Sequence, residues 1–331
     1  MLLYEDHKAT PDAVATALAF SPDGSALASA AKDGSVFIRD SSGRLHTITE
    51  HTFPERHSKK CKDGSAFAGD SSDCLHTIKE QNLHERNSNG CAVYSLAYSP
   101  DGLSLFIGGE FGWIGSKHDG ELWRVFGPEN AAPVTSLAML DDRTLAVGIG
   151  DRVQPSGGKL ELWDVVAGRK REPSFLEPNG VRAVAVCPER RMVAWATGHR
   201  QVAVWEIVRQ QPIQFTQPKN TPALALSPDG KLLAVAVDYG VKVYSIERKQ
   251  PRFELKGHKG RVAAVVFSPD GSTIATGSWD MSVKLWDAAK GQERTTFRWP
   301  IGRVLCLAYA PDGLRLAASG DAGSTVVWDL E

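Results

Sequence analysis

Residues 257–287 read Gly-His-Lys-Gly-Arg-Val-Ala-Ala-Val-Val-Phe-Ser-Pro-Asp-Gly-Ser-Thr-Ile-Ala-Thr-Gly-Ser-Trp-Asp-Met-Ser-Val-Lys-Leu-Trp-Asp. Three short runs stand out, Val262 to Phe267, Thr273 to Ser278 and Ser282 to Trp286, divided by Ser268-Pro269-Asp270-Gly271 and by Trp279-Asp280. Short β-rich runs bounded by Gly, Pro and Asp turns are hairpin signals, and no segment here sustains a helical period. The stretch predicts an antiparallel meander, with a fourth strand following.

Working outward, the same turn recurs seven times, starting at Pro22, Pro100, Asp141, Pro188, Pro228, Pro269 and Pro311. The gaps are 78, 41, 47, 40, 41 and 42 residues. A strand-rich unit of this length cannot bury both faces of its small sheet alone, so it stacks on its neighbours around an axis. The expected fold is all-β, a seven-bladed β-propeller of four-stranded antiparallel blades in a single domain, residues 1–331. The length of 331 residues alone would favour two domains, but the repeats consume nearly all of it and leave no room for a separate catalytic domain.

With 42% apolar and 23% charged residues, the composition is that of an ordinary globular protein with a large core. Lys plus Arg number 38 and Asp plus Glu 39, so no overall field draws the chain onto nucleic acid or anionic lipid. Neither partner is expected, and a charge-driven partner must use a local patch. The first residues have no secretory pattern and no apolar run approaches a membrane span, so the expected location is cytoplasmic. Five cysteines, an odd number without tight pairs, are expected to be free thiols there.

A unit that runs from Gly257-His258 to Trp286-Asp287 resembles the WD-repeat family of β-propellers. Trp-Asp itself recurs at Trp163-Asp164 and Trp328-Asp329, with Trp123-Arg124, Trp205-Glu206 and Tyr244-Ser245 as variants and Arg39-Asp40 as the largest departure. The resemblance implies a buried hydrogen-bonded chain within a blade, carried here by His258, Ser278, Asp280 and Trp286. The fourth unit keeps Thr197 and Trp205 but has His199 in place of the Asp. The seventh keeps Ser319, Asp321 and Trp328 without the His. The other blades are therefore expected to rest on apolar packing.

Ser, His and Asp can also form a hydrolase triad, but this spacing suits a structural network in which each group satisfies the next. Gly148, Gly150, Gly157 and Gly158 lack the spacing of a phosphate cradle and read as turn residues. No cofactor is expected.

The last unit supplies three strands before the sequence stops, so Leu2-Leu3-Tyr4 is expected to complete it, closing the ring and covering its open edge. Between the first two turns, residues 32–61 and 62–91 align without gaps with 17 of 30 positions identical. One copy suffices for the blade. Ser35 to Asp40 has the higher β propensity and Ser65 to Asp70 the lower, which assigns the insertion looped out of the first blade to about 61–90. Its His57, Cys61, Cys74, His76, His84 and Cys91 lack the close-pair spacing of zinc ligands, and no metal is expected.

The resemblance also implies peptide binding on the narrow face, at positions early on each inner strand and in the following turn. These are Thr16, Lys32, Tyr94, Glu110, Thr135, Arg182, Arg261, Trp279 and Arg303. Arg182, Arg261 and Arg303, with Tyr94 and Trp279 as aromatic anchors, suit an acidic or phosphorylated segment. The expected function is a non-catalytic scaffold for proteins or peptides, acting as a monomer or within a larger complex. The alternative is a propeller enzyme, which requires Glu110, Asp151, Asp238 and Arg182 to converge at the central channel.

Overall fold

The computed structural model describes residues 2–4, 14–48, 92–110, 114–118, 124–126, 132–150, 157–198, 200–209, 211–217 and 221–330. The repeated turn shows why the chain reverses where it does. In Ser-Pro-Asp-Gly the serine hydroxyl donates to the carboxylate two residues on, at 2.5 to 2.7 Å for Ser21, Ser99, Ser227 and Ser268. The glycine N–H closes the turn on the serine carbonyl at 2.9 Å, and Gly24, Gly102, Gly230 and Gly271 take φ of 64° to 75°. That left-handed conformation favours glycine at this position.

The described strands form seven four-stranded antiparallel sheets. The first holds β2 (Ala15–Phe20), β3 (Ala26–Ala31), β4 (Val36–Asp40) and β5 (Leu45–Ile48). The second holds β6 (Val93–Tyr98), β7 (Ser104–Gly109), β8 (Ile114–His118) and β9 (Arg124–Phe126). The third holds β10 (Val134–Met139), β11 (Thr144–Gly150), β12 (Gly158–Asp164) and β13 (Arg169–Glu177). The fourth holds β14 (Val181–Cys187), β15 (Met192–Thr197), β16 (Gln201–Glu206) and β17 (Ile213–Thr216). The fifth holds β18 (Leu224–Leu226), β19 (Leu232–Val237), β20 (Gly240–Ser245) and β21 (Gln250–Lys256). The sixth holds β22 (Val262–Phe267), β23 (Thr273–Ser278), β24 (Ser282–Asp287) and β25 (Glu293–Arg298). The seventh joins β26 (Val304–Tyr309), β27 (Arg315–Gly320) and β28 (Thr325–Asp329) to β1 (Leu2–Tyr4), with Leu3 opposite Val326.

The first strand of each full sheet packs on the first strands of its neighbours in order, and β26 packs on β2. Apolar clusters fill every junction between adjacent sheets. One joins Ala234 and Val243 of the fifth sheet to Val262 and Trp286 of the sixth, and another joins Ala317 and Val327 of the seventh to Leu27 of the first. The core is thus distributed radially, as expected of stacked repeats in an all-β propeller.

On one face the turns interlock, with Gly102 against Pro22, Gly271 against Pro228, Gly313 against Pro269 and Gly24 against Pro311. Among the described residues no helix is long and apolar enough to cross a membrane. The first duplicated copy supplies β4 and β5, while residues 61–90 and the cysteines and histidines named with them lie outside the described residues.

The glycines of the third unit correct the expectation of turns. Gly148 and Gly150 stand in β11 and Gly158 in β12, and a Cβ on Gly158 would lie 2.0 Å from the Ile149 carbonyl oxygen. Close backbone approach requires glycine there. Only Gly157 takes a turn conformation, with φ 77°.

Candidate functional site

The first strands of the sheets line a central channel of about 1080 Å³. Six of them carry a register shift at their second residue, namely Thr16, Tyr94, Thr135, Arg182, Ala263 and Leu305. All six line the channel. A bulge re-aims a side chain, and here it does so at the same level around the axis.

These positions divide by chemistry. Thr16 and Thr135 line the channel with their hydroxyls committed to the framework. The Thr16 hydroxyl donates to the Val93 carbonyl at 2.6 Å, and the Thr135 hydroxyl to the Val181 carbonyl at 2.6 Å, each tying one sheet to the next. Ser95 and Ser136 add to these ties by accepting the N–H groups of Leu137 and Val184. Tyr94 and Arg182 remain as half-buried channel groups.

At the rim, two guanidinium groups lie against Trp279. The Arg261 Cζ lies 5.5 Å from the indole centroid and the Arg303 Cζ 5.0 Å, both within cation–π range. Residues far apart in the chain meet because the Trp279 N–H donates to the Arg261 carbonyl at 2.9 Å, while Arg303 begins the neighbouring sheet. Asp321 fixes Arg303, accepting its backbone N–H at 2.7 Å and its Nε–H. Trp279 itself is 40% exposed. Arg261 also lines the channel, while Arg303 is exposed and paired with Asp321.

Lys32, Arg182 and Arg261 are the charged side chains of the channel lining, and among its described residues there is no Asp or Glu. Glu110, whose N–H donates to the Ala92 carbonyl, lies off that lining. So does Asp238, whose carbonyl accepts the Val262 N–H. Arg182 therefore does not share the channel with either carboxylate, and Asp151 lies outside the described residues.

Beneath the rim runs a buried chain that corrects one expected member. The Trp286 Nε1–H donates to Thr276 Oγ1 at 2.8 Å, Thr276 Oγ1 meets His258 Nε2 at 2.7 Å, and His258 Nδ1 meets Asp280 Oδ2 at 3.0 Å. The hydroxyl between indole and imidazole is thus Thr276. Ser278 lies two residues further along the same face, where its Oγ accepts the Asp280 N–H at 3.2 Å. Burial holds the His258 imidazole below its usual pKa despite the attraction of Asp280. A neutral ring with its proton on Nδ1 satisfies every partner. For Asp280 burial opposes ionisation, but the Ser282 hydroxyl, the Lys259 N–H and His258 outweigh it and bring its pKa down to about 2.

Elsewhere the large polar groups find substitutes rather than apolar packing alone. Trp163 donates to Glu161 at 3.1 Å, Trp195 to Glu177 at 2.6 Å and Trp205 to the Arg209 carbonyl at 2.8 Å, while the Tyr244 hydroxyl pairs with Gln217 at 3.0 Å. His199 lies outside the described residues.

Radially packed sheets around a cation-lined channel define a β-propeller. Three of its repeats match a known type: the family model for the WD domain, G-beta repeat, matches residues 2–40, 249–287 and 291–329. Each matched stretch starts in or just before the outermost strand of one sheet and ends in the third strand of the next, so each matched repeat laces two sheets together.

The chain is 33% identical over 98 residues to an uncharacterized WD repeat-containing protein of Synechocystis sp., covering 29% of this chain and 28% of that protein. It is 28% identical over 123 residues to the serine-threonine kinase receptor-associated protein of Dictyostelium discoideum, covering 37% and 41%. It is also 33% identical over 69 residues to a guanine nucleotide-binding protein subunit beta of Schizosaccharomyces pombe, covering 20% and 23%. The matched stretches span less than half the length of these curated relatives.

Proposed function

We propose that this chain is a non-catalytic scaffold whose seven sheets work as one closed ring and whose channel mouth receives acidic or phosphorylated segments of other proteins. The observation that carries the reading is the Arg261–Trp279–Arg303 cluster, beside a channel whose charged lining residues are all cations among the described residues. Arg and Trp dominate binding hot spots because they combine large contact area with directed hydrogen bonding and charge. The enzyme reading lacks comparable support, because general acid–base work needs a carboxylate in reach of the cation that would perturb it. The protein acts in the cytoplasm, alone or as a subunit of a complex.

Affinity purification followed by mass spectrometry, comparing the parent protein with Trp279→Ala and Arg261→Glu, tests this reading. Both variants are expected to keep the parent's melting temperature and to lose the same partners. A folded Trp279→Ala protein that retains every partner would remove the proposal.

A further inference from the structure

The turn that carries Trp279 has a second side. Beyond it the chain passes through Asp280 to Met281, which takes a φ of 63° and is 55% exposed. Asp280 and Met281 form one wall of a groove of about 340 Å³, and Arg298, Trp299 and Pro300 form the other, where β25 ends and the crossover to β26 begins.

Two groups in this groove, the Trp299 Nε1–H and the Arg298 guanidinium, are not among the hydrogen bonds and ion pairs seen between the described residues. The Trp299 Nε1–H is shielded from solvent, and among the described residues no acceptor lies within hydrogen-bond range of it. Native structures rarely leave a buried donor unpaired, because its desolvation goes uncompensated. Arg298 is exposed, and it takes no part in the ion pairs of its own sheet, Lys284–Glu293 and Arg294–Asp287. The one carboxylate of the groove, Asp280, is committed inward to His258, Ser282 and the Lys259 N–H. What faces outward is a cation and the apolar surfaces of Met281 and Pro300, and the Trp299 ring that lines the groove carries the unused, shielded donor. Across the same turn stand the two guanidinium groups on Trp279. Both sides therefore favour an anionic occupant, and only the groove offers it an apolar seat.

We infer that the groove is a second pocket for the same partner. An extended acidic segment of another protein crosses the Trp279–Met281 turn with a carboxylate toward Arg261 and Arg303. It seats an aliphatic or aromatic side chain beside Met281 and Pro300 and offers a backbone carbonyl to the Trp299 N–H. This inference rests on the reading of the channel mouth as a partner site.

The test is to pan a phage-displayed library of random dodecamers against the full chain, then to measure the enriched peptide by fluorescence anisotropy on variants whose melting temperature matches the parent. The expected result is enrichment of Asp or Glu near a large apolar residue. Binding should weaken about tenfold in Trp299→Phe, which keeps the ring and removes the donor, and at least as much in Met281→Glu, while Trp279→Ala abolishes it. Acidic peptides without an apolar preference, bound equally by Trp299→Phe and Met281→Glu, would overturn the groove and leave the partner site standing. Failure to enrich any peptide, or binding insensitive to Trp279→Ala, would overturn both.

Discussion

Thr276 occupies the centre of the buried network because its hydroxyl can accept from the Trp286 indole while donating to the His258 imidazole. That assignment keeps His258 neutral, and neutrality has a pH consequence. Burial holds the folded pKa below the usual 6.5, so the folded state resists a proton that the unfolded chain accepts. The stability this group contributes is complete above pH 6.5 and is lost as pH falls toward the folded value. Asp280, held near 2, keeps its contribution until pH drops below its usual 3.8. Between pH 6.5 and 5 the network is therefore weakened through histidine alone. We expect the melting temperature to fall across that window, and to fall less steeply in His258→Gln even though that variant starts lower. Equal slopes for the two proteins would refute a neutral His258. The members His258, Asp280 and Trp286 were legible in the sequence through the resemblance of their unit to the WD repeat. Thr276 and Ser278 share a face of β23, and a period of two reports which face a hydroxyl occupies but not how deep along the strand its partners lie.

Strand positions followed from apolar runs and Ser-Pro-Asp-Gly turns, whose chemistry is local. The bulges were not legible, since a bulge is a relation between two strands and appears only in their pairing. It is the bulges that bring Tyr94 and Arg182 into the channel and leave Thr16 and Thr135 tied to neighbouring sheets. The rim stack was hidden for a related reason: Arg261, Trp279 and Arg303 converge only once the sixth and seventh sheets lie side by side. Gly320, the last residue of β27, protects that convergence. A Cβ there would lie 2.2 Å from the Ile301 carbonyl oxygen and 2.5 Å from that of Arg303, and backbone at such distances must move. Gly320→Ala is expected to displace the Arg303 segment, lowering stability by roughly 1–3 kcal/mol and weakening partner binding. A melting temperature equal to that of the parent protein would show that the Arg303 backbone is not held in place as the packing implies.

At the scale of the whole molecule, the seven sheets are joined by junctions of unequal strength. Most carry clusters of ten or more buried apolar side chains, whereas that between the seventh and first sheets holds only Leu27, Ala317 and Val327 among the described residues. Two other devices bind this seam. Arg315 donates to the Gly24 carbonyl at 3.0 Å and lies 5.6 Å from the Phe20 ring centroid, and β1 pairs with β28 along Leu2, Leu3 and Tyr4. Pairing distant parts of one chain covers an edge of unpaired N–H and C=O groups that would otherwise recruit another molecule. A chain beginning at residue 7 would lose that cover while keeping every other sheet. Its melting temperature should fall by about 5 °C or more, and it should aggregate at concentrations where the parent stays dispersed. Leu3→Pro, which removes one ladder N–H without shortening the chain, should move both readouts the same way. If both proteins melted with the parent and stayed dispersed, the β1–β28 pairing would not be what holds the seam, and the Arg315–Gly24 contact and the apolar packing would have to suffice.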